Sequence, residues 1–257
     1  MRTPLSTRFQ IETTADAERY RNDLIEKLGW ANPVTKALLS CEIDEPCNLS
    51  ICPVCTHSFR VENVPLLASL FPQPLEELSF VTMYVQLVHA GDLSRVDAKT
   101  LVASLRKTIA RSDVTGFGLI VGAIEPEWRE TETSWLIHLH AISAYVAKDV
   151  WADIRAALRK RIKRDGPNGG NATPRRRALV IDPVTDLRRQ LSYCVKFLTY
   201  DCLPRGENGA KGRAVPLKGK PLEELVAWRA LYAPDNFLFL YGAKRLNDRF
   251  VRLARTT

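Results

Sequence analysis

The chain has 257 residues, 46% hydrophobic and 26% charged, with a net charge of +8. That balance excludes a disordered chain and fits one generous globular domain with room for a small accessory module. No apolar run reaches the ~18–20 residues a bilayer span needs, and Met1–Ile11 lacks the apolar core of a signal peptide, so the expectation is a cytoplasmic protein with no membrane partner.

In chain order, Thr13–Leu28 predicts a helix capped by Thr13 or Thr14, with Tyr20, Leu24, Ile25 and Leu28 on one face. A cysteine-rich segment, 41–60, follows. Leu78–Val88 alternates and is β-branched enough to be a strand, and 94–111 carries Val96, Leu101, Val102, Leu105 and Ile109 at helical spacing. Gly118–Glu125 and Trp135–Val146 predict an antiparallel pair of strands joined by a polar loop. A basic amphipathic helix, 149–164, precedes the loop Gly166–Arg177, and then come a short strand at Ala178–Val184 and a helix at 186–202. Residues 203–220 predict a basic, Gly-rich loop, Pro221–Tyr232 a helix with Pro in its first turn, and Asn236–Tyr241 a last strand before a basic tail. Helices set between antiparallel strands argue for an α+β fold with an antiparallel sheet and flanking helices. The division expected is a cysteine-rich module over 1–75 and a main domain over 76–257.

The charge is unevenly spread. From Arg155 to Arg213 there are fifteen Lys and Arg against five Asp and Glu, a net of +10 that leaves the rest of the chain at −2. Such a block fits a polyanion partner or a solvated helix face. Arg159, Arg161, Arg175, Arg176, Arg177 and Arg189 are the candidate contacts to nucleic-acid phosphates.

Four cysteines fall within "CEIDEPCNLSICPVC" (41–55). Cys52-Pro-Val-Cys55 is a tight turn that converges two thiolates on one tetrahedral ion, with Cys47 and Cys41 as the remaining ligands. The longer gap between 41 and 47 makes His57 the substitute for Cys41. Structural Zn²⁺ is the expected occupant, because clustered cytosolic thiols point to metal rather than to disulfides.

"WLIHLHAISAYV" (135–146) places His138 and His140 two residues apart in a strand, so both imidazoles face the same way. Two histidines in an apolar setting need two partners, and a divalent ion satisfies both. Glu125, ending the neighbouring strand, completes a two-His, one-carboxylate set with open positions, and Glu127 and Glu130 are its rivals. In the helix predicted at 186–202, Arg189, Tyr193, Lys196 and Tyr200 recur at helical spacing on the polar face. An ammonium beside a phenol favours the phenolate.

Together these motifs resemble the HUH endonucleases. "HLH" (138–140) is similar to their His-hydrophobic-His motif and "YCVK" (193–196) to their Tyr-x-x-Lys motif. Their order suits the rolling-circle replication initiators. "SFVTMY" (79–84) resembles that family's Thr-containing first strand, "VGAIE" (121–125) its Glu-bearing strand, and "CNLSICPVC" (47–55) a cysteine knuckle that some members carry upstream. The resemblance spans roughly 41–202. It implies that His138, His140 and Glu125 hold Mn²⁺ or Mg²⁺, that Tyr193 attacks the scissile phosphate of single-stranded origin DNA, and that Lys196 steadies the developing charge. It also implies a 5′-phosphotyrosine, and a free 3′-OH for a host polymerase and helicase to use. Where many relatives place a carboxylate one turn before the tyrosine, this chain has Arg189 and Gln190. The rival readings are an HUH-type transposase or relaxase, and a non-catalytic zinc-ribbon regulator.

Overall fold

The computed structural model describes residues 11–113, 118–165, 178–196, 200–202 and 214–253. Three helices come first: α1 (Thr14–Leu28), α2 (Pro33–Leu39) and α3 (Pro53–Ala68). Of the two caps the sequence offers for α1, Thr13 is the one used, in a reciprocal capping box with Asp16, and Asn32 caps α2. The run then continues β1 (Leu78–His89), α4 (Ala98–Ser112), β2 (Leu119–Arg129), β3 (Ser134–Ala144) and α5 (Lys148–Asp165). After these come β4 (Leu179–Pro183), α6 (Leu187–Cys194), β5 (Tyr200–Cys202), β6 (Ala214–Pro216), α7 (Gly219–Arg229), β7 (Leu238–Tyr241), β8 (Ala243–Leu246) and β9 (Arg249–Arg252).

The expected α+β architecture is present. The sheet runs β4-β1-β3-β2, and β2 is shared: its first half pairs antiparallel with β7, while Trp128 near its end meets β5 in parallel. Five strands, β4-β1-β3-β2-β7, are thus antiparallel throughout, and β5-β6 extend the far edge. β2 and β3 are buried along almost their whole length because they lie in the middle. Gly122 on β2 lets them close up, since a Cβ there would lie 1.9 Å from the carbonyl oxygen of His140. That contact fixes the register in which Glu125 stands opposite His138 and Ala123 opposite His140.

Alternation gives the sheet two faces. Thr82, Tyr84, Glu125, His138 and His140 share one, and α6 packs over it against β3 and α3. Val81, Met83, Ile124, Ile137 and Leu139 point to the other face and are fully buried; α5 packs on β1 and α4 on α5. The cysteine segment has a small cluster of its own, formed by Ala17, Ile25, Leu38, Val54 and the thiols. The second half of α3 does not belong to it, because Phe59, Val64 and Leu67 join the main core.

Several sequence expectations need correction. β2 runs on to Arg129, so Glu125 lies inside the strand rather than at its end, and the expected basic tail carries β8 and β9. The helix predicted at 186–202 ends at Cys194, so Tyr200 lies on β5 and does not share a helical face with Tyr193. The 203–220 segment is not all loop, since it contains β6 and the start of α7. The rest of that stretch, and the loop carrying Arg175, Arg176 and Arg177, lie outside the described residues. No helix among the described residues is long and apolar enough to cross a membrane.

Candidate metal centres and the tyrosine between them

The thiols of Cys41, Cys47, Cys52 and Cys55 converge. Cys41 and Cys55 sulfurs are 3.5 Å apart, Cys52 and Cys41 3.5 Å, and Cys47 and Cys55 3.6 Å. Four sulfurs each 2.3 Å from one zinc stand about 3.8 Å apart in a tetrahedron, so the cluster fits Zn²⁺ closely and no disulfide is formed. Hydrogen bonds from Cys52 and Cys55 hold the Cys47 thiol far below the ordinary cysteine range, while Cys52 and Cys55 are pushed up. Only a cation lets several of these buried sulfurs ionise together. Cys41, not His57, completes the set. The His57 ring meets Thr14 instead, with Nε2 3.5 Å from its hydroxyl.

The second cluster is on the sheet. Ligand atoms of Glu125, His138 and His140 all lie within 4.8 Å of one another, and the three residues are 7%, 3% and 9% exposed. His138 Nε2 is 3.9 Å from Glu125 Oε2, too long for a hydrogen bond and a fitting separation for two ligands of one ion. The opposite nitrogen, Nδ1, is buried without a hydrogen bond, 4.0 Å from Glu127. Thr82 on β1 stands opposite His140, with its hydroxyl 3.0 Å from Nδ1. In the tautomer that donates from Nδ1 to Thr82, His140 keeps its lone pair on Nε2. Burial lowers the pKa of both imidazoles, and the Lys196 ammonium pushes the same way; the Glu125 carboxylate partly offsets this at His138. Both shifts favour the neutral ring, the form that can coordinate an ion. Of the rival carboxylates, Glu127 pairs with Arg129 at 3.1 Å and flanks His138, and Glu130 is exposed on the connecting turn.

Tyr193 arrives from α6, whose N-terminus is built by local polar contacts. Asp186 accepts from the backbone of Arg189, and Gln190 accepts from the backbone N–H groups of Thr185 and Asp186. Gln190 is thus engaged in capping. The Tyr193 ring is 42% exposed, 5.0 Å from the His140 ring and 6.0 Å from Phe80, which itself stacks on His140 at 5.8 Å. Lys196, just past the end of the helix, holds its ammonium 3.9 Å from the centre of the Tyr193 ring. The sequence-predicted Glu125, His138, His140, Tyr193 and Lys196 therefore meet at one place.

Among the predicted phosphate contacts, Arg159 and Arg189 are exposed. Arg161 is half-buried and donates to Ser104 at 3.2 Å, on the α4–α5 side of the sheet. Sequence reasoning did not find the Thr82–His140 contact or the fully buried Arg229, whose pKa burial lowers to about 10 while the charge of Glu125 holds it up. The cross-strand register could have found the first of these. No family model, curated protein or solved structure matches the chain.

Proposed function

We propose that the chain is a metal-dependent nickase and strand transferase of the HUH type, acting on single-stranded origin DNA to start rolling-circle replication. The observation that carries the reading is the meeting of a two-histidine, one-carboxylate donor set with an exposed tyrosine, the His140 and Tyr193 rings 5.0 Å apart. A core that only had to satisfy two histidines has no use for an exposed phenol and an ammonium beside them.

Glu125, His138 and His140 hold a divalent ion, which when bound supplies Lewis-acid polarisation of the scissile phosphate. Mn²⁺ is favoured over Mg²⁺ by the imidazole ligands, and cellular supply decides between them. The Tyr193 phenol oxygen attacks phosphorus and the bond from phosphorus to the 3′-oxygen breaks. The phenol proton ends, net, on that 3′-oxygen. The products are a 5′-phosphotyrosine and a free 3′-OH, which primes a host polymerase while a helicase opens the duplex. Lys196 favours the phenolate by its charge. The four cysteines hold a structural Zn²⁺. Arg159, Arg189 and the Arg175–Arg177 run bind the strand through its phosphates.

The test is incubation with labelled single-stranded DNA and Mn²⁺, followed by denaturing electrophoresis. A DNA adduct that survives denaturation and maps to Tyr193 is expected. Binding without any adduct would leave the zinc-ribbon regulator, and an adduct formed on transfer or transposon-end DNA alone would shift the reading to a relaxase or transposase.

A further inference from the structure

The residue before the tyrosine faces the other way and is bonded to the cysteine module. Ser192 is 0% exposed, and its hydroxyl accepts from two nitrogens of Arg60, Nη2 at 2.7 Å and Nε at 3.3 Å. Arg60 is itself 6% exposed and lies on α3, while its third nitrogen is bound by Glu12, just ahead of α1. Burial lowers the guanidinium pKa and Glu12 offsets that. A buried charge is kept when it is fully paired, and here the pairing joins three segments: the lead-in to α1, the helix α3 and the helix α6.

α3 begins on the knuckle. Cys52 is its N-cap residue and Cys55 lies in its first turn, yet no side-chain hydrogen bond caps this helix. A Zn²⁺ ion on the four sulfurs would fix that end. Arg60 follows Cys55 by five residues, about 7.5 Å along the axis. α6, in contrast, has eight residues, too few to hold itself as a helix. Its place over the sheet is therefore set by what it packs on, and α3 is one of those supports. Successive helix positions are turned by ~100°, so a contact that fixes Ser192 against α3 also fixes the direction in which Tyr193 projects toward His140.

We infer that Arg60 and Ser192 are positioning residues for Tyr193, through which the zinc-held helix sets the rate of strand cleavage without setting the affinity for DNA. This rests on the nickase reading above and assigns the cysteine module a part in it. Arg60 touches neither the phenol nor the metal ligands; it acts through the rotation and height of α6. A displacement of about 1 Å at a reacting group costs up to roughly 100-fold in rate.

The decisive variant is Ser192→Ala, which removes one hydroxyl from a buried site, adds no bulk and leaves Arg60 paired with Glu12. In full-length protein, the single-turnover rate of adduct formation at saturating single-stranded DNA should fall about 10- to 100-fold. The Kd for the same DNA with Mn²⁺ omitted, the zinc content and the Mn²⁺ affinity measured by electron paramagnetic resonance should each stay within about twofold of wild type. Stripping zinc from wild type with a mercurial thiol reagent and chelator, then restoring Mn²⁺, should give the same slow but tightly bound state, and should slow Ser192→Ala much less. A wild-type rate in Ser192→Ala overturns the inference, and so does a loss of rate accompanied by equal losses of DNA affinity and melting temperature. A wild type that forms no adduct at all removes the nickase reading and the inference with it.

Discussion

The two clusters that could hold a metal ion are built from opposite materials. At the knuckle, four thiols converge within a small cluster that includes Ala17, Ile25, Leu38 and Val54. On the sheet, two imidazoles and a carboxylate supply three donors, and the neighbouring tyrosine is 42% exposed. A tetrahedral thiolate set leaves an ion no vacant position, whereas a set of only three donors, two imidazoles and a carboxylate, leaves room for a substrate oxygen. The supports differ as well. The cysteines come from fifteen consecutive residues around one turn, but Glu125, His138 and His140 are held by the register of β2 against β3, pinned by Gly122. The closed set has no position for a substrate and can act only through the structure it holds, whereas the open set leaves positions free.

The comparison breaks most visibly at the open site. His138→Ala or His140→Ala should take adduct formation to background while leaving circular dichroism and DNA binding near wild type, because the strands are held by their ladders and not by the ion. Either variant reacting at the wild-type rate in Mn²⁺ would move the metal elsewhere. At the closed site the effect should fall on stability. Protein purified without added metal should carry about one zinc per chain, and Cys52→Ser should lose it with a cost of several kcal/mol, read as a lowered melting temperature. Four freely titratable thiols in the wild type would exclude zinc.

A finer probe sits between ligand and support. Thr82→Val keeps the volume and removes the hydroxyl 3.0 Å from His140 Nδ1. Loss of such an outer partner lowers metal affinity about 10- to 100-fold, so Mn²⁺ titration should show weakening near the lower figure with zinc content unchanged. Smaller again is the change expected from replacing Arg175, Arg176 and Arg177 by Gln. Each phosphate left without its guanidinium should reduce the slope of log affinity against log salt by about 0.7 for a single strand. An unchanged slope would put the DNA elsewhere on the molecule.

Much of the open site was legible because a strand has a period of two. His138 and His140 had to share a face, and a hairpin between 125 and 135 brings a carboxylate beside them, with Glu125, Glu127 and Glu130 as the candidates. The knuckle was legible for a different reason, since its ligands are local. What stayed hidden was long-range or non-periodic. α3 is buried on nearly every side, with Val54, Thr56, His57, Phe59, Arg60, Asn63 and Val64 all covered, so it shows no amphipathic stripe and carries Pro65 inside. The Arg60–Ser192 bond joins residues 132 apart, and nothing in either neighbourhood announces it. The end of α6 is hidden in the sequence because polar residues continue at helical spacing to Tyr200 although the helix stops six residues earlier.

That early stop yields the smallest predicted effect. On a single helix, Tyr193 and Tyr200 would be equivalent by periodicity and would compete for Lys196. The two are instead on different elements: Tyr193 in the last turn of α6, and Tyr200 on β5, whose backbone pairs with Pro216 and whose next residue meets Trp128. The Lys196 ammonium lies over the Tyr193 ring, and the His140 ring lies 5.0 Å from it. Tyr193→Phe removes one hydroxyl and should abolish the adduct while zinc content and DNA affinity persist. Tyr200→Phe removes the same atom from the same residue type seven positions on, and should leave the single-turnover cleavage rate within about twofold of wild type, a difference below ~0.5 kcal/mol in barrier. Mass spectrometry of the nucleotide-bearing peptide separates the two cases. An adduct on Tyr200 in the wild type would mean that β5 reaches the ion, and the pairing of Tyr193 with His140 would then be packing alone.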